Sequence, residues 1–336
     1  MPSTVDALRG PVVESRHRVS IAVVASDGSL VAHSGDPDLL TFWRSAAKPF
    51  QALPLVMDGA ADALGIGDEE LALACASHNG EVRHVEVARR LLERSGSGET
   101  DLVCGAHGSL SESVARAMAG RGEQPTKTHS NCSGKHSGML ALARHHGWQR
   151  SGYAQPGHPV QQRCLAEVAA WTGLRESEIG LATDGCGVPS FALPLRAMAR
   201  AYARLAATVG DAEGVPNGRA AAARRLVQAV RAHPFLLAGT GRLDTELIEA
   251  SGGRIVAKVG AEGVYSAALL DRALGVAIKV EDGDMRCVAP ALLAVLDQLA
   301  PGAAPVAEVH RAPPITNSLG ALVGRYVAHV ELERAP

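Results

Sequence analysis

Strand-forming runs stand at both ends of this chain, and between them lies a long stretch whose apolar residues recur at helical spacing. Residues 19–26 (Val-Ser-Ile-Ala-Val-Val-Ala-Ser) and 29–34 are apolar and β-branched, separated by Asp27-Gly28, a strong hairpin signal. Helical patterns begin at Ser45 and dominate to about residue 250, most clearly over 81–94, 111–120, 136–146, 158–172, 190–207 and 219–231. Strand runs return at 254–259, 263–270 and 273–280, a helix follows over 287–299, and 325–332 reads as a further strand. Strands and helices do not alternate, so a doubly wound parallel sheet is disfavoured. The pattern predicts a mixed α/β (α+β) fold in a single domain of residues 1–336. Its antiparallel sheet is drawn from about 10–45 and 250–333, and a helical region of about 46–250 is inserted between.

Basic charge in this chain is supplied by 28 arginines and only five lysines. Arginine stays protonated in proteins, whereas a buried lysine can lose its proton and serve as a base, nucleophile or ligand. Three of the five stand in chemically dense surroundings: Lys48 in Arg44-Ser45-Ala46-Ala47-Lys48, Lys135 in Asn131-Cys132-Ser133-Gly134-Lys135-His136, and Lys258 in Lys258-Val259-Gly260. Lys127 and Lys279 lack such company. The alternative is codon bias with five chance survivors.

Bulk properties narrow the function classes. A net charge of −2, with no basic run interleaved with aromatics, argues against nucleic-acid binding. No apolar stretch reaches the ~18 residues of a membrane span, and the polar segment 1–18 lacks the apolar core of a secretory signal, so a cytoplasmic protein is expected. The aromatic share is 3%, which leaves alanine, valine and leucine to make most of the core. Six scattered cysteines do not form a disulfide framework. Cys75, Cys104, Cys164 and Cys287 have apolar or plain neighbours and read as buried structural thiols.

Two constellations can carry chemistry. In Ser45-x-x-Lys48 the two residues share one helix face if Ser45 opens a helix, and a desolvated lysine can activate a serine hydroxyl. Alone the pattern is weak, since an N-cap serine with a solvated lysine looks the same. Its order adds specificity: Ser45-x-x-Lys48, then Ser77-His78-Asn79, then Lys258-Val259-Gly260 follows the Ser-x-x-Lys, Ser-x-Asn, Lys-x-Gly series of penicillin-recognising enzymes. A glycine after an edge strand would let backbone approach a substrate. The second constellation sets Cys132, Lys135 and His136 against Cys186 in Thr183-Asp184-Gly185-Cys186-Gly187. Two thiolates and one nitrogen ligand would leave a fourth position open on tetrahedral zinc. From spacing alone His136 is the more orthodox nitrogen ligand, and a polar loop with incidental cysteines is the competing reading. Glycines 134, 138, 185 and 187 would let backbone crowd around such a site.

Four segments together resemble the rhizobial-type (class 3) L-asparaginases: 44–51 (Arg-Ser-Ala-Ala-Lys-Pro-Phe-Gln), 77–81 (Ser-His-Asn-Gly-Glu), 129–139 (His-Ser-Asn-Cys-Ser-Gly-Lys-His-Ser-Gly-Met) and 183–189 (Thr-Asp-Gly-Cys-Gly-Val-Pro). The likeness runs from about residue 10 to 333. It implies a fold like serine β-lactamases, penicillin-binding proteins and glutaminases, a homodimer, and hydrolysis of L-asparagine to L-aspartate and ammonia. By the same likeness Ser45 with Lys48, and Ser77 with Lys258, are two catalytic serine–lysine pairs. Cys132, Lys135 and Cys186 become zinc ligands, so the resemblance favours Lys135 over His136. Arg44, His136 and Asp184 then become substrate-binding residues.

The expected chemistry is acyl transfer, with Ser45 deprotonated by Lys48 and zinc positioning the substrate. Which serine attacks stays open at this stage. A serine-dependent glutaminase or β-lactamase-like amidohydrolase shares the chemistry, and a non-enzymatic zinc-binding module would need none of the serines.

Overall fold

The structure is a computed structural model and describes residues 3–210 and 214–335. The chain divides into two compact units, one of residues 1–46, 193–215 and 246–336, the other of 47–192 and 216–245.

The first unit is built on an antiparallel sheet drawn from both ends of the sequence. Strand Ser3–Arg9 lies between Leu322–His329 and Val12–Ala25. Val12–Ala25 then pairs with Leu274–Val280, which pairs with Val264–Leu269, and Ile255–Val259 closes the order as an edge strand. The sequence misses Ser3–Arg9 because its alternation is broken by an inward-facing charge. Asp6 is 2% exposed and accepts two hydrogen bonds from Arg16 on the neighbouring strand, both at 2.9 Å. That pairing holds the Asp6 carboxyl below the usual range.

Helix Leu195–Ala207 packs on strands Val12–Ala25, Val264–Leu269 and Leu274–Val280. Its buried face is Leu195, Met198, Tyr202 and Leu205 with alanines between, as the aromatic-poor composition requires. The helix expected over 190–207 is corrected at its start: Pro189–Pro194 is a strand and the helix begins at Leu195. Pro194 drives Leu193 out of helical geometry and itself sits at the N-cap in an extended conformation.

In the second unit the expected helices appear at Lys48–Met57, Val82–Arg94, Glu112–Gly120, Ser133–His146, Pro159–Thr172 and Ala220–Ala232. Pro49 enters helix Lys48–Met57 in its first turn, where the missing N–H costs no intrahelical bond. Helix Lys48–Met57 packs on Ser133–His146 and Pro159–Thr172. The six cysteines are free thiols, all buried. Among the described residues no helix is long and apolar enough to cross a membrane.

Candidate active site and metal-ligating cluster

Helix Ser133–His146 is drawn against the end of helix Asp68–Ala74 by a glycine. A Cβ on Gly134 would fall 2.2 Å from the Leu73 carbonyl oxygen, so no larger residue fits without moving backbone. Gly138 faces the Leu55 and Ala74 side chains at a Cβ spacing of 2.9 and 3.5 Å. Gly187 serves its turn through a positive φ of 90°, whereas Gly185 faces open space. Gly134→Ala is expected to destabilise the fold by about 1–3 kcal/mol, the range for overpacking a filled interior. A urea midpoint equal to that of the parent would contradict it.

That close approach brings Lys48, Ser77 and the carbonyls of Ala76 and Asn131 together. Lys48 is 1% exposed, and its Nζ donates to Ser77 Oγ at 2.9 Å, to Ala76 O at 2.5 Å and to Asn131 O at 3.4 Å. Burial pulls the Lys48 amine below its ordinary pKa, the neighbouring Lys135 ammonium adds to the effect, and the Cys132 and Cys186 sulfurs oppose it.

The Ser77-His78-Asn79 segment is fixed from several sides. Backbone N–H groups of Ser77 and Asn79 donate to Leu237 O and Ala238 O. His78 Nδ1 accepts the Gly80 N–H at 3.1 Å, so its proton lies on Nε2 and is donated to Ser133 Oγ at 2.9 Å. Ser133 Oγ in turn donates to Thr128 O at 2.9 Å. Arg242 Nη1 donates to Asn79 Oδ1 at 2.9 Å and Ser77 O at 3.3 Å, while Asn79 Nδ2 donates to Thr240 O at 3.1 Å. His78, Ser133 and Arg242 were not singled out in the sequence. Arg242 lies more than 160 residues from the serine it supports, and no local pattern links them.

Cys132 caps helix Ser133–His146, Lys135 lies in its first turn, and Cys186 sits in the turn between strands Gly180–Thr183 and Pro189–Pro194. Lys135 Nζ donates to Cys186 Sγ at 3.0 Å, and the Cys132 thiol hydrogen-bonds the same sulfur. The Cys132 S–H donor and the Lys135 charge pull Cys186 down to about 4, making it a thiolate. Sharing that bond, together with burial, pushes Cys132 up to about 12. Burial opposes the Lys135 charge, but the Cys186 and Cys132 sulfurs outweigh it and hold the amine above its ordinary range. Asp184, half-buried in the same turn, adds negative charge beside Lys135.

His136 is fully buried, with Nδ1 2.7 Å from Tyr153 Oη and Nε2 lacking a hydrogen-bond partner. Burial, then the Lys135 charge, lowers it to about 3, so it is neutral.

The donor chemistry fits the expected metal. Two sulfurs and one nitrogen converge, all buried, and softness of this kind suits zinc. Holding it would displace the protons of Cys132 and Lys135.

Arg44, Ser45 and Lys258 belong to the other unit. Arg44 has a φ of 54°, left-handed geometry that is costly for a side chain bearing Cβ and that accumulates at functional turns. Ser45 follows it, half-buried, in the 3₁₀ turn Arg44–Ala47. Lys258 is 1% exposed on edge strand Ile255–Val259 and donates to Val259 O at 2.9 Å. Its cross-strand partner Ser266 accepts the Trp43 indole N–H at 3.1 Å. A Cβ on Gly260 would lie 3.1 Å from Trp43 O. The glycine after the edge strand therefore admits the backbone of the segment that carries Ser45.

A family model for L-asparaginase II matches residues 5–328. No curated protein matches the chain. Among solved structures 35 chains match. Mglu in its native form is 17% identical with a TM-score of 0.47, covering 84% of this chain and 63% of that one. Mglu in its L-glutamate binding form in 4.3 M NaCl is 18% identical with a TM-score of 0.39, covering 84% and 59%. The chain thus spans less than two thirds of the length of those structures.

Proposed function

The chain belongs to the L-asparaginase II family, and from that premise we propose that it is an amidohydrolase converting L-asparagine to L-aspartate and ammonia. The observation that carries the reading is the buried Lys48 amine, depressed in pKa and 2.9 Å from the Ser77 hydroxyl. A buried lysine beside a serine hydroxyl, its pKa lowered by desolvation, is the pairing a serine–lysine hydrolase uses once the amine gives up its proton.

In the proposed reaction Lys48 takes the Ser45 proton and Oγ bonds to the side-chain amide carbon. The C–N bond breaks, the departing nitrogen receives a proton, and ammonia leaves. Water then cleaves the acyl ester, restoring the serine and releasing aspartate. Ser77, hydrogen-bonded to Lys48, gives that proton a second oxygen to reach, and Lys258 is its proposed partner. Arg44, His136 and Asp184 are proposed to contact substrate. A homodimer and a serine β-lactamase-like fold belong to the same reading, the first checked by sedimentation equilibrium.

Cys132, Lys135 and Cys186 would hold zinc, which when bound there supplies a positive centre for the α-amino or carboxylate end of the substrate. Removal by a chelator is expected to raise KM more than it lowers kcat. An unchanged KM with a collapsed kcat would contradict that role. Zinc affinity is expected to rise with pH, because loading releases protons from Cys132 and Lys135.

Ammonia release from asparagine and glutamine tests the substrate. One methylene is worth about 1–3 kcal/mol, so kcat/KM should favour asparagine by about 10–200-fold. Equal rates would make the protein a dual amidase, and no ammonia from either would remove the enzyme reading.

A further inference from the structure

A group of candidate metal ligands stands in the sheet unit, made of residues the proposed reaction does not use. His17 lies on strand Val12–Ala25 and is 7% exposed. Asp282, Asp284 and Cys287 follow strand Leu274–Val280, with Asp284 capping the 3₁₀ turn Met285–Cys287. One donor atom each from His17, Asp284 and Cys287 lies within 4.8 Å of the other two, the one such histidine, cysteine and carboxylate group among the described residues.

The histidine is set up as ligands usually are. Its Nδ1 lies 2.7 Å from Asp282 Oδ2. An ionised carboxylate only accepts, so Nδ1 is the nitrogen that donates to it, and Nε2 is the one left for another partner. That Nε2 is buried and has no hydrogen-bond partner. Metal-ligating histidines characteristically give their other N–H to a carboxylate, which fixes tautomer and ring orientation.

Asp284 accepts from Arg286 through its backbone N at 2.9 Å, Nε at 3.0 Å and Nη2 at 2.5 Å, and the guanidinium lies 5.0 Å from the Tyr326 ring centroid. Asp282 stands near the Lys279 ammonium as well. Burial pushes the Cys287 thiol up to about 12, so a metal bound there would displace its proton.

We propose that His17, Asp284 and Cys287 bind a divalent metal of the zinc class, with Asp282 orienting the histidine. Imidazole nitrogen, carboxylate oxygen and thiolate sulfur are zinc's ligand types, and three of them leave a position for water. The ion would tie strand Val12–Ala25 to the segment after Leu274–Val280.

Cobalt(II) titration of the Cys132→Ser/Cys186→Ser chain separates this site from the one in the proposed function. A thiolate-to-cobalt charge-transfer band saturating at one equivalent is expected, and Cys287→Ser or His17→Gln added to that chain should abolish it. No band, or a band that survives Cys287→Ser, overturns the site. Should the double variant not fold, zinc content after equilibrium dialysis decides. Cys287→Ser is expected to hold one equivalent fewer than the otherwise native chain, and equal content overturns the proposal whether or not asparagine is hydrolysed.

Discussion

Replacing Lys48 with methionine is expected to lower kcat/KM for amide hydrolysis by about 10²–10⁴-fold, the range for loss of a positioned general base. Methionine keeps the length and apolar stem and removes the amine. The Ala76 and Asn131 carbonyls and Ser77 Oγ then lose a buried donor, which adds about 1–3 kcal/mol of destabilisation. Denaturant melts separate the two effects, because a folded but inactive variant isolates the chemistry. Lys48→Arg should be equally inactive, since a guanidinium cannot give up its proton. The parent enzyme supplies an independent check. Lys48 acts only when neutral, so kcat/KM should fall as pH drops through its folded pKa. Burial places that acid limb below the ordinary lysine value of 10.5. An active arginine variant would remove Lys48 from the reaction.

Ser45→Ala carries the larger expected loss, about 10⁴–10⁶-fold in kcat, the scale on which deletion of a hydrolase's catalytic group is felt. Ser45 is half-buried at the surface of a short turn, so folding should be nearly unaffected. Ser77→Ala is the informative companion. If Ser45 attacks and Ser77 relays, acyl-enzyme trapped with a slow substrate should form in Ser77→Ala and not in Ser45→Ala. The reverse result would make Ser77, the hydroxyl already bonded to Lys48, the nucleophile.

Much of the fold was legible because both hydrophobic periods are local. The hairpin at Asp27-Gly28, the three strands after residue 250 and most helices of the central block follow from spacing of apolar residues. Strand Ser3–Arg9 was not, since the inward Asp6 breaks its apolar alternation and is tolerated there through the Arg16 guanidinium across the hairpin. Pro189–Pro194 was misread because its apolar run continues into a helix, and only Pro194 marks the break.

The site divides along the same line. The three lysines singled out in the sequence, Lys48, Lys135 and Lys258, are all under 9% exposed, and so is Lys279, which was not. Lys279, set aside in the sequence, is instead held by the Glu262 and Val280 carbonyls at 2.5 and 2.7 Å. What the sequence marked by itself was therefore residue type: lysines set among serines, cysteines and glycines, at positions the fold buries. Tertiary structure decided partnership. It set Lys48 on Ser77, twenty-nine residues away, and Lys135 on Cys186, fifty-one away. Such contacts depend on how elements pack, for Lys48 and Ser77 on the close helix approach that the missing Cβ of Gly134 allows, and not on any spacing along the chain.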